Sequence, residues 1–122
     1  MFDHVSVNVS DYERSRRFYG EALAPLGLTL LMEFGSDAAG FGRDGHPGFW
    51  IVRRDPPATG AHVAFRSPDR ATVQAFHQAA LAAGGVDNGP PGIRAEYHET
   101  YYAAFVLDPD GVNVEAVCHG AE

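Results

Sequence analysis

The sequence predicts an α+β fold made of two copies of one strand–helix–strands module. Three observations carry this. Displaced by 58 residues, the chain matches itself: His4 falls on His62, Val5 on Val63, Asp11 on Asp69, Phe18 on Phe76, Ala22 on Ala80, Leu23 on Leu81 and Gly27 on Gly85. Seven identities at one offset, several at core-type positions, mark a duplication of two units rather than a solenoid. Each unit opens on a strand-period alternation that passes into helical spacing. The chain then closes on FVLDPDGVNVEAV, Phe105 to Val117, where Asp108-Pro109-Asp110-Gly111 joins two strands in a tight hairpin.

From Asp3 to Val9, Val5, Val7 and Val9 share one face, and His4, Ser6 and Asn8 share the other. Ser10 with Glu13 reads as a capping box. Ser15, Phe18, Tyr19, Ala22 and Leu23 then recur at helical spacing until Pro25 and Gly27 stop the helix. Leu28 to Glu33 reads as a strand, Gly35 to Gly40 as a loop, and Phe41 to Arg43 and Phe49 to Arg53 as two short strands. After a Pro56-Pro57 to Gly60 linker, His62, Ala64 and Arg66 alternate with Val63 and Phe65. Ser67 as N-cap and Pro68 at the first helical position open the second helix. Val73, Phe76, His77, Ala80 and Leu81 form its apolar stripe, and Gly84-Gly85 ends it. A polar, Pro-rich loop leads to strands at about Tyr101 to Leu107 and Val112 to Val117. One domain over 1–122 is expected, with modules at about 1–55 and 61–119.

A chain of 122 residues buries a core without staples. A formal charge of −7, with no run of Lys and Arg longer than two, argues against a nucleic-acid partner. No apolar run approaches the roughly 20 residues of a membrane span. The single cysteine, Cys118, permits no intrachain disulfide, and the amino terminus lacks a basic leader. A cytoplasmic protein is the expectation.

His4 and His62 stand at equivalent repeat positions, and Glu115 shares a strand face with Asn113. Two imidazoles and one carboxylate suit a borderline divalent ion: Fe²⁺, Mn²⁺, Zn²⁺, Ni²⁺ or Co²⁺. Three protein ligands leave positions open for water or substrate. A histidine opening a strand is, as a rule, a hydrogen-bonded structural residue, and a strand Glu a solvated one. The repeat and the hairpin shift the balance towards a metal site.

Together these residues resemble the vicinal oxygen chelate superfamily: glyoxalase I, bleomycin-resistance proteins, fosfomycin-resistance thiol transferases and extradiol dioxygenases. The resemblance covers DHVSVNVSD with its helix, AHVAFRSPD with its helix, and the closing FVLDPDGVNVEAV. It implies paired βαβββ modules forming a curved eight-stranded mixed sheet with a central cleft, and metal ligands at His4, His62 and Glu115. It also implies a homodimer, in which each site is sometimes built from both chains. The implied activity is a divalent-metal-dependent lyase, isomerase or dioxygenase acting on a small oxygen-chelating substrate. The alternative is a metal-free protein that sequesters a small molecule or antibiotic in the same cleft.

Two departures from the family pattern matter. Where glyoxalase I carries a second Glu, this chain has Trp50, Ile51 and Val52; aligning Phe41 with Phe105 and Asp44 with Asp108 puts Ile51 opposite Glu115. Extradiol dioxygenases place a Tyr ten residues before the Glu, where Phe105 stands, although His98 matches their upstream His. Lyase or isomerase chemistry is therefore favoured. Glu115, His98 and Tyr102 are the candidate catalytic residues. Alternation lets only one of Tyr101 and Tyr102 face the cleft, and Trp50, Arg66 and Tyr101 are the candidates for holding substrate.

Overall fold

The computed structural model describes residues 1–120. Module one comprises β1 (Val5–Val9), α1 (Tyr12–Leu23), a 3₁₀ turn (Ala24–Leu26), β2 (Thr29–Phe34), β3 (Ala38–Arg43) and β4 (His46–Arg53). Module two repeats the order with β5 (His62–Arg66), α2 (Arg70–Ala82), β6 (Val86–Ile93), β7 (Tyr102–Leu107) and β8 (Asn113–Cys118). The eight strands form two four-stranded mixed sheets, ordered β1-β4-β3-β2 and β5-β8-β7-β6. In each, the first strand runs parallel to the last and the other pairs are antiparallel. This is the α+β pair of strand–helix–strands modules that the repeat predicts, in the βαβββ order that the resemblance implies, but the eight strands lie in two four-stranded sheets rather than in one curved eight-stranded sheet.

Both helices begin on aspartate rather than on the predicted serines. Asp11 accepts from the Arg14 amide at 3.1 Å, and Asp69 from the Thr72 amide at 2.8 Å. A carboxylate at the helix start satisfies an orphan N–H and meets the positive end of the dipole. Ser10 is thereby free to reach module two: its amide and hydroxyl donate to Asp110 at 3.0 and 2.5 Å. The segment expected as a Pro-rich loop is strand β6, with register shifts around Gly89. It is an edge strand, where Pro90 and Pro91 cost no ladder bond. β3 likewise begins at Ala38, inside the expected loop.

Each helix lies on one face of its own sheet and meets the other helix. α1 buries Phe18, Tyr19, Ala22 and Leu23; α2 buries Val73, Phe76 and Ala80. Gly85 sits where the modules press together, since a Cβ there would lie 2.4 Å from Val106 Cγ1 and 2.8 Å from Phe18. The buried side chains of both modules form one cluster. The opposite faces of both sheets stay open, as do the outer edges of β1 and β5. Among the described residues no helix is long and apolar enough to cross a membrane.

Asp108, 4% exposed, ties the modules together. Its Oδ1 accepts from the Asp110 and Val112 amides, each at 2.8 Å, and its Oδ2 accepts from the Tyr19 hydroxyl of α1 at 2.5 Å. Burial raises the Asp108 pKa above its ordinary 3.8, against the opposing pull of these donors. Just above 3.8 the folded chain therefore keeps a proton that the unfolded chain has released, so this group's contribution falls as pH rises through that window. Asp108→Asn lacks the ionisation. Urea denaturation from the acid range to neutrality should show the stability gap between variant and wild type moving in the variant's favour as pH rises. A pH-independent gap refutes this. Asp108→Ala strands three donors and should cost about 3 kcal/mol.

Candidate metal centre

Strand pairing brings His62 and Glu115 together. β5 lies parallel to β8 with His62 beside Asn113 and Ala64 beside Glu115, and β7 places Phe105 on the other side of Glu115. All project from the open face. Glu115 is 2% exposed, an unusual place for a carboxylate. Its Oε1 lies 2.9 Å from His62 Nε2, and its Oε2 accepts from the Tyr101 hydroxyl. His62 Nδ1 lies 3.0 Å from the Asn113 carbonyl, which accepts only, so Nδ1 carries a proton. The Nε2–Oε1 contact then requires one further proton. A divalent ion is the other species able to occupy that position.

This arrangement fits a metal. A ligating histidine ordinarily donates its second ring N–H to a carbonyl or carboxylate, fixing tautomer and ring plane. Asn113 performs that service for His62. Phe105 stacks against the imidazole, with centroids 6.2 Å apart and planes at 26°, and limits its rotation further. Tyr101 orients the remaining carboxylate oxygen. Burial first, then the hydrogen bond and charge of Glu115, push its phenol well above its ordinary pKa, so it remains a donor.

The third predicted ligand is elsewhere. His4 precedes β1, with its Nδ1 2.8 Å from Asp3 Oδ1, and among the described residues no three His, Cys, Asp or Glu side chains converge on one point. His4 and His62 instead line the same cavity of about 860 Å³, which runs between the first strands of the two modules. Its walls include Phe2, Phe41, Phe49 and Phe65.

The other predicted residues divide. Arg66 is exposed on the same strand face as His62 and Glu115. Tyr101 reaches Glu115, whereas Tyr102, the predicted catalytic tyrosine, points the opposite way. Its hydroxyl accepts from Gln74 at 2.8 Å, and Arg70 lies over its ring at 5.0 Å, both from α2. Adjacent strand residues face opposite sides, so only one tyrosine reaches the site. His98 also fails to touch Glu115: its Nδ1 accepts from the Thr100 amide at 3.2 Å, and its ring meets His119, which in turn meets Tyr101. It is exposed beside the site.

Trp50 lies on the open face of the other sheet, stacked on Phe34 at 5.7 Å, with its indole N–H donating to the Pro47 carbonyl. Pairing also corrects the module alignment. Ser6 pairs with Trp50 as Ala64 pairs with Glu115, so the offset there is 65 and Trp50, not Ile51, is the counterpart of Glu115. Ile51 is fully buried on the helix side. The Phe41/Phe105 and Asp44/Asp108 identities set the offset one residue short, and a slip of one residue exchanges the faces of a strand. Arg94, missed in the sequence, stands over Phe105 at 5.3 Å. Its partners are backbone carbonyls and a ring, which leave no motif.

Residues 1–116 match the sequence profile of the Glyoxalase/Bleomycin resistance protein/Dioxygenase superfamily. No curated protein matches the chain. Among solved structures, a glyoxalase/bleomycin resistance protein from Albidiferax ferrireducens T118 is 30% identical, with a TM-score of 0.85 over 98% of this chain and 99% of that one. Two more distant structures share the fold. One is a glyoxalase/bleomycin resistance protein/dioxygenase family enzyme from Burkholderia phytofirmans PsJN, 16% identical with a TM-score of 0.75 over 98% of each chain. The other is a lactoylglutathione lyase from Agrobacterium tumefaciens, 17% identical with a TM-score of 0.68 over 94% of this chain and 90% of that one. Profile, pairing order and duplicated modules agree: the chain belongs to the glyoxalase/bleomycin resistance protein/dioxygenase superfamily.

Proposed function

We propose that the protein is a divalent-metal-dependent enzyme of lyase or isomerase type, acting on a small substrate that presents two adjacent oxygens. The observation carrying this is the 2.9 Å approach of His62 Nε2 to a buried Glu115 oxygen, with the other imidazole nitrogen committed to a carbonyl. His4 of a second copy is the third ligand. The uncovered edges of β1 and β5, together with exposed Phe2, Met32 and Phe34, support a homodimer as the working unit.

When bound, the ion supplies a Lewis acid that stabilises negative charge on a substrate oxygen. The chain does the rest. Tyr101 holds one Glu115 oxygen, Asn113 holds the His62 ring from one side, and Phe105 stacks on it. Phe105 offers no hydroxyl at the position ring-cleavage enzymes use, and the Tyr101 hydroxyl is committed to Glu115, which favours lyase or isomerase over dioxygenase. A second reading, metal-free sequestration of a small molecule, is favoured by the aromatic walls of the 860 Å³ cavity.

Reconstituted wild type should carry roughly one divalent ion per chain, and His62→Ala and Glu115→Ala should lose it. Co-refolding His4→Ala with Glu115→Ala should restore one intact site per mixed dimer, although each variant alone has none. Metal retained by both His62→Ala and Glu115→Ala refutes the ligand assignment; no recovery on mixing refutes a site shared between copies. A wild type that stays empty supports sequestration instead. Tyr101→Phe should weaken metal binding by about tenfold in chelator competition, while Tyr102→Phe leaves it unchanged.

A further inference from the structure

Arg94 follows β6 and is held by backbone alone. Its Nη1 donates to the Gly92 carbonyl at 2.9 Å and its Nη2 to the Pro90 carbonyl at 2.7 Å, with the guanidinium over the Phe105 ring. The space it occupies exists because two neighbours lack side chains. A Cβ at Gly89 would lie 3.0 Å from Nη2, and one at Gly92 3.2 Å from Nη1. Gly89 also has φ of 151°, which few other residues adopt.

Among the described residues no carboxylate forms an ion pair with Arg94. Asp87 is within its field, but its Oδ1 accepts from the Gly89 amide and lies 2.9 Å from His77 Nε2. Two of five guanidinium N–H donors are used, and three remain. The position of this free charge is informative. Arg94, Phe105 and His62 stack in a row beside Glu115, so the cation flanks the candidate metal ligands on the same open face. A half-buried, oriented fork with spare donors is suited to receive a carboxylate.

We propose that Arg94 is an anion anchor and that this face takes a small organic anion, with a carboxylate on Arg94 and a pair of adjacent oxygens towards His62 and Glu115. The placing of the oxygen pair rests on the metal reading above; the binding of the carboxylate does not.

Catechol and protocatechuate present the same adjacent oxygens, and only the second adds a carboxylate. Calorimetric titration of both, into metal-free and Mn²⁺-reconstituted protein at neutral pH, isolates the anchor. Wild type should bind protocatechuate about tenfold more tightly than catechol. Arg94→Gln should bring that ratio to near one, and Arg94→Lys should keep part of it. Thermal unfolding and circular dichroism of each variant identify any loss of fold. An unchanged ratio in a folded Arg94→Gln, or no preference in wild type, overturns the proposal. If the protein takes no metal yet shows an Arg94-dependent preference, the anchor stands and the metal reading falls. If metal binds and no preference appears, the reverse holds.

Discussion

The rest of the structure depends on how one buried carboxylate is satisfied. Asp108 follows β7, closes the DPDG turn on two amides, and receives the Tyr19 hydroxyl from the other module. An aspartate buried to this degree destabilises the fold unless its oxygens are occupied, and here three donors occupy them. Turn geometry and module docking are therefore one constraint rather than two. The turn also determines where β8 begins, and hence the face on which Glu115 emerges. A one-residue slip would send Glu115 into the helix-side core and bring Val114 or Ala116 to the site. Glu115 is thus held in register by a second buried carboxylate, Asp108.

The site itself combines burial with few donors. Glu115 is met by one phenol and one imidazole only. A buried carboxylate with so few partners is suited to a cation. Asn113 and Phe105 act on His62 from different directions, one through a ring nitrogen and one through the ring face. Both fix the ring plane without occupying Nε2.

Much of this was legible in the sequence wherever period and repeat speak for faces. Alternation along VSVNV and HVAFR separated core from open side, and the 58-residue offset paired His4 with His62. The failures have physical reasons. β6 was hidden because prolines and glycines signal a loop, while an edge strand tolerates both. Trp50 was hidden behind Ile51 because residue identity, rather than hydrogen-bond register, set the later offset. Tyr101 and Tyr102 are adjacent, and choosing between them needed the pleat of β7. The distance from His4 to Glu115 depends on how whole modules are arranged, which no local pattern encodes.

The substitution of Trp50 at the Glu115 position makes the two open faces unlike. In module one the indole lies across Gly40, whose Cβ would come within 2.8 Å of it, and shares an apolar surface with Phe34. In module two the matching place holds a carboxylate beside a histidine. Covering an indole releases water favourably, whereas covering a second carboxylate would require a second counter-charge. One half therefore presents a surface that tolerates being covered, and the other a polar one. The two open faces thus differ in kind, so an encounter that covers the indole of module one costs less than one that covers the carboxylate of module two.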